Sequence, residues 1–260
     1  MIAGLPLPYA YARGRARLAL RPDERHWRDW HAARGLAVLI DAVRSSPFAD
    51  GISGIAPGAE ADAVELALRV QLRARIAEVA AWAPDAWRPA LLWTRRLIDL
   101  PLQAHLAAGG TEPEWMRDDP AAAQRGQTDA ATPAAAVLLA PCRCRNAAVD
   151  ARHTAALHPA LRDWLERWRA LWPPMSTDER SALEALTTTV AQHLTRFAAA
   201  APEDAAALRS ALHPRLLAFA RLQAAEPVAL FALLVLHALD LERLRGELLR
   251  RALFPAEART

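Results

Sequence analysis

The chain contains no lysine: all 32 of its basic residues are arginine, set against 29 acidic residues for a net charge of +3. Together with the alanine load, this reads as a compositional bias rather than as arginine chemistry. The near balance of signs argues against a dedicated nucleic-acid binder, which clusters its charge on one face. It leaves room for a mildly basic face toward acidic partners or an anionic surface. Cysteine is almost absent too. Cys142 and Cys144 lie one residue apart, poorly placed to bridge each other, so a reducing compartment is expected. Valine, isoleucine and tyrosine are few, and no short alternating run is bounded by turns, which argues against strands. No GxSxG, no Walker-type glycine loop and no HExxH occurs. The first residues hold two early prolines and no apolar run of signal-peptide length, so a cytoplasmic protein is expected.

What is present is alanine, leucine and helical spacing. The class expected is all-α. The segment Pro227 to Phe254 organises the reading. Its first half is apolar on nearly every side (Val228, Leu230, Phe231, Leu233, Leu234, Val235, Leu236, Leu239), and such a helix must be buried all round. Its second half narrows to Leu241, Leu244, Leu248, Leu249 and Phe254, with arginines between, which predicts one wet face. A membrane span needs roughly 18 apolar residues, and this run meets Asp240 and Glu242 first.

Other helices are expected over Tyr9 to Leu20, after Pro22-Asp23-Glu24, and over Leu36 to Val43, Ala59 to Trp82 and Trp87 to Leu106, with a kink or break at Pro101. Further helices are expected over Ala155 to Trp172, from Ser176 or Thr177 to Ala200, over Pro202 to Leu212 and over Pro214 to Ala225. Asp50 to Gly58 reads as loop. Gly109 to Pro141 reads as a linker with a short helix from Ala134 to Leu139. The expected organisation is an N-terminal helical unit at 1–108, a linker or reduced middle unit at 109–141, and a C-terminal helical unit at 142–260.

Candidate chemistry is sparse. Cys142, Cys144, His153 and His158 offer zinc-ligand types without the usual zinc-finger spacing. His26 and His31 flank two tryptophans, but their separation is not the four residues that put two ligands on one helix face. His237 in the apolar helix is either a hydrogen-bonded core residue or a buried proton-responsive group. Asp118-Asp119 and Glu203-Asp204 are explained by turns and helix starts. The nine tryptophans read as helix-packing residues first, and as a partner surface second.

The stretch Tyr9-Ala10-Tyr11-Ala12-Arg13-Gly14-Arg15-Ala16-Arg17-Leu18 resembles the first helix of the C/d-type stalk family of V-type and A-type ATPases. A bulky second helix around Trp27 to Leu36 follows. Leu39 to Phe48 comes next, where Arg44-Ser45-Ser46-Pro47-Phe48 looks like the family's Leu-x-x-Thr-x-Tyr stretch. The family's repeated helical units end in a helix carrying an acid and then an Asn-Leu-Arg/Lys-like pattern. Ala238-Leu239-Asp240-Leu241-Glu242-Arg243-Leu244-Arg245 resembles such an end, and Leu97-Ile98-Asp99-Leu100-Pro101-Leu102 resembles it less closely. Arg243 and Leu102 stand where the family has asparagine, and the chain is shorter than the family's members, which points to a reduced middle unit around Gly109 to Pro141.

The resemblance implies repeated helical bundles forming a funnel-like or curved body. It implies a non-catalytic rotor component of the central stalk on the cytoplasmic face of the membrane. There it would link the stalk to the proteolipid rotor ring for ion transport, with no cofactor, no nucleic acid, and membrane contact only through partners. The contact residues expected are Arg13, Arg15 and Arg17 on the first helix and Arg243 and Arg245 on the last. A soluble all-α scaffold, or a metalloprotein using the cysteine–histidine cluster, are the alternatives.

Overall fold

A computed structural model of the chain describes residues 7–46, 48–107, 109–121, 159–222 and 226–254. Among these the fold is all-α, with short 3-10 turns and no strand. In chain order the helices are α1 (Leu7–Ala19), α2 (Glu24–Ala32), α3 (Leu36–Arg44), α4 (Ala61–Trp82), α5 (Arg88–Trp93), α6 (Leu100–Ala107), α7 (Pro159–Ala170), α8 (Thr177–Ala199), α9 (Ala205–Leu222) and α10 (Pro227–Leu253). Four 3-10 turns, Ala49–Ile52, Thr94–Ile98, Glu114–Met116 and Pro202–Asp204, lie between them.

Local chemistry sets the boundaries. Asp23 caps α2 by accepting from the backbone N–H groups of Arg25 and His26 at 3.0 and 2.9 Å. Gly35 follows α2 with φ +83°, a conformation side chains rarely adopt, and lets the chain turn directly into α3. Ser176 and Glu179 form a reciprocal capping box on α8. The expected loop after Asp50 begins as the 3-10 turn Ala49–Ile52, with Ile52 and Ile55 buried. Pro101 does not cause a kink. It sits at the second position of α6, where no N–H is required, and the break falls before it, in the 3-10 turn Thr94–Ile98 and at Asp99.

Pro214 likewise fails to divide a helix. The two expected segments are one helix, α9, running through the proline. Pro214 lies on an exposed face, while Leu212, Leu216 and Ala220 bury the opposite side and α9 packs along α8. Packing of that apolar face outweighs the lost hydrogen bond.

α10 behaves as its two halves predict. Every position from Pro227 to Leu234 is buried, and beyond Asp240 burial contracts to Leu241, Leu244, Leu248 and Arg251. Phe254 is not part of that stripe. The helix stops at Leu253, and Phe254 is 62% exposed. Among the described residues no helix is long and apolar enough to cross a membrane.

Contacts divide the chain into two compact units, along lines other than the sequential split at 108 and 141. The first takes its described residues from 7–14, 76–111 and 159–236; the second takes them from 15–75, 112–121 and 237–254. The reason is α10. Its last apolar residues pack into the core of α2, α3 and α4, so the C-terminal turns belong with the beginning of the chain.

The first unit is held by tryptophan. Trp164, Trp168 and Trp172 recur every four residues and so share one face of the α7 region. Trp164 stacks on Trp168 with centroids 5.6 Å apart, and Trp168 meets Trp172 and Phe231 edge-on at 4.9 and 5.0 Å. The Nε1–H of Trp168 donates to Ala90 O at 3.1 Å, and that of Trp93 to Trp164 O at 3.2 Å. Gly14 belongs here: a Cβ on it would meet Leu233 Cδ2 at 3.2 Å, a tight contact that Leu233 would have to relieve by a few tenths of an ångström.

The second unit has an apolar centre of Trp27, Trp30, Leu39, Ile40, Val43, Phe48, Ile52, Ile55, Val64, Leu68, Leu241, Leu244 and Leu248. Part of the expected linker is anchored to it. Trp115 is buried beneath the Arg69 guanidinium, 4.3 Å from its ring centroid, and Asp119 is clasped by Arg73 at 2.7 and 3.1 Å.

Candidate functional site

The second unit concentrates its charge in a layer that runs from the buried Asp240 out to the exposed Asp50. α10 turns polar at His237 and Asp240, three residues apart and therefore on neighbouring positions of one face. Arg21, just beyond α1, grips Asp240 in a bidentate fork, Nε to Oδ2 at 2.5 Å and Nη2 to Oδ1 at 2.6 Å. Both side chains are almost fully covered. Asp50, on the 3-10 turn after α3, accepts from Arg17 of α1 at 3.0 Å and from Arg75 of α4 at 3.3 Å. Four separate stretches of chain thus meet through charge.

His237 lies in the same layer, its ring 5.6 Å from that of Phe48. It is 8% exposed, and its Nε2 has no hydrogen-bond partner. Burial, and then the positive charges of Arg75, Arg21 and Arg17, push its pKa down to about 3. The imidazole is therefore neutral at ordinary pH.

A second set of arginines binds the helices from outside. Arg245 of α10 reaches Glu65 of α4 at 2.6 Å, and Glu65 also accepts from Arg69 at 2.8 Å. Burial raises the Glu65 pKa, but its two arginine partners outweigh that and hold it below the usual range. Arg243 lies 4.4 Å over the Trp27 ring and pairs with Glu24 at 2.8 Å. Arg251 donates to the carbonyls of Trp30, His31 and Ala33, which closes the C-terminal end of α2. It also pairs with Glu247 at 2.7 Å. These groups lock helices together. Nothing in the arrangement sets a nucleophile beside a base.

The residues expected to touch partners are distributed accordingly. Arg13 belongs to the first unit, where its guanidinium lies 5.1 Å over the Trp82 ring. Arg15 is exposed. Arg17, Arg243 and Arg245 are tied to Asp50, Glu24 and Glu65, and each keeps between 30% and 44% of its side chain exposed. His26 joins the α2 cap through Asp23 at 2.7 Å, and His31 pairs with Glu247 at 2.9 Å, so the two do not share a site. Glu203-Asp204 lies in the 3-10 turn leading into α9, as a helix-start role requires. Asp119 is more than a turn residue, since it forms a buried ion pair. Cys142, Cys144, His153 and His158 lie outside the described residues, as does the candidate helix from Ala134 to Leu139.

Sequence reasoning missed Arg21, Asp50, Arg75 and Arg251. Asp240 did carry a signal: an acid inside an apolar helix has to find a cation. Which cation was not legible, because Arg21 lies 219 residues away. No protein-family model matches the chain, and no curated protein or solved structure matches it.

Proposed function

We propose that the chain is a non-catalytic central-stalk component of a V/A-type ATPase or ATP synthase, seated on the cytoplasmic face of the membrane and coupling the stalk to the proteolipid rotor ring. The observation that carries this reading is a meeting of two family-like stretches. The first-helix stretch ending at Leu18 and the acid-bearing stretch around Asp240 resemble the family independently, and the Arg21–Asp240 fork just after the first joins it to the second. Torque transmission asks for parts that do not deform, and within the second unit densely packed helices cross-linked by a buried ion pair support that role. The partly exposed guanidinium groups of Arg15, Arg17, Arg243 and Arg245 supply basic contacts for acidic partner surfaces.

The test is a pull-down of the tagged chain from gently solubilised membranes of its own cell, with co-purifying chains identified by mass. Rotor-ring and ATPase head proteins at near-stoichiometric yield are expected. Recovery of the chain without them refutes the stalk role.

A further inference from the structure

In the second unit, Leu239, Glu242, Gly246, Leu249 and Leu253 of α10 follow one another at alternating spacings of three and four residues, so they form one stripe along the helix. The stripe lies opposite Leu244 and Leu248, which enter the core. Its flanks are held by neighbouring helices, Arg243 by Glu24 of α2 and Arg245 by Glu65 of α4. Along the stripe itself Glu242, Gly246 and Leu253 are exposed, the last to 59%, and Leu239 and Leu249 are half-buried.

Glycine weakens a helix interior, so Gly246 asks for a reason. Its φ is not positive, and a Cβ on it would meet nothing within 4 Å among the described residues. Neither backbone geometry nor packing among those residues calls for a glycine there. A second helix laid across that point does, because it approaches more closely over a hydrogen than over any side chain. The charges select the helix and its direction. Glu242 lies four residues before Gly246 and Arg250 four after it; Leu239 lies seven before and Leu253 seven after. A second α10 running antiparallel across Gly246 therefore sets each Glu242 against the other copy's Arg250, and each Leu239 against the other copy's Leu253. A parallel copy would set Glu242 on Glu242 and Arg250 on Arg250, which repel. On their own helix Glu242 accepts from Arg245 and Arg250 donates to Glu247, each at 3.3 Å, and both side chains stay about half exposed, within reach of a further partner.

We propose that two copies of the chain pair through the outer faces of α10, antiparallel and symmetric about Gly246. The interface is isologous: the same stripe serves both copies. A single helix crossing belongs to the small-interface class, so the pair is a weak one. The pairing does not rest on the stalk reading, and its test uses no membrane component.

The test is sedimentation equilibrium of the purified full chain from roughly 5 to 500 µM, the range for a weak interface. The mass is expected to rise with concentration from monomer toward dimer. Gly246→Arg places its side chain in open space in the monomer but against its own copy in the pair; it is expected to stay monomeric with an unchanged helical far-UV signal. Glu242→Arg and Arg250→Glu are each expected to raise the dissociation constant about tenfold, and the two together, which restore opposite charges across the axis, to return it close to the wild-type value. A monomer throughout overturns the proposal, and is the result expected if this face is covered by the chain's own remaining residues or kept for a different protein. A dimer indifferent to Gly246→Arg or to the single reversals overturns it too, as do single reversals that the combined change does not repair. Should Gly246→Arg lose helical signal, the charge reversals, which fall on exposed side chains, decide alone.

Discussion

Trp168 and Arg21 serve the same purpose in two different ways. In the first unit helices adhere through broad aromatic area: Trp168 touches Trp164, Trp172 and Phe231, and its one polar atom is satisfied by a backbone carbonyl. In the second unit a smaller apolar centre is enclosed by guanidinium–carboxylate pairs, several of them joining stretches far apart in sequence. Aromatic area is tolerant of small shifts and insensitive to salt. A bidentate fork has one good geometry and fixes register. α10 supplies both materials, Phe231 to one unit and Asp240 to the other, so a single helix changes its means of adhesion within three turns.

That contrast can be broken from either side. The largest effect is expected from Trp168→Ala, which removes the centre of the aromatic cluster and an indole hydrogen bond. It should cost about 3–5 kcal/mol in urea unfolding, nearly independent of salt. Asp240→Asn leaves Arg21 buried without its counter-charge and should cost about 3 kcal/mol. Replacing both partners, as Arg21→Met with Asp240→Leu, should recover most of that loss. A double mutant as unstable as the single one would show that the pair matters for more than its own charge balance. The smallest effect is expected from Glu24→Gln. Its pair with Arg243 is largely exposed, so the change should cost no more than about 1 kcal/mol and vanish in high salt, while Arg243 keeps its place over Trp27.

The helices were legible because they rest on local periodicity. The burial of α10 from Pro227 to Leu234 follows from an apolar run with no wet side, and the α2 and α8 starts follow from Asp23 and from Ser176 with Glu179. Pro214 misled because a proline forbids a helix only where nothing else holds it, and here Leu212 and Leu216 on the buried face do. The membership of the second unit was not legible, because nothing local states that Leu244 and Leu248 pack with Trp30 and Ile40. The arginines of α10 were visible as charges. Their intramolecular partners Glu24 and Glu65 were not, since pairing is decided by the packed fold.

The interleaving of the two units has a consequence for synthesis. A chain leaves the ribosome from its first residue to its last, yet neither unit is complete until α10 has emerged. The first lacks Leu230 and Phe231, and the second lacks Asp240, Leu244 and Arg251. Arg21 and Trp30 are made early and wait through more than two hundred residues for the groups that will cover them. A nascent chain stalled before α10 therefore exposes both unfinished cores at once, and the last helix to be made completes both.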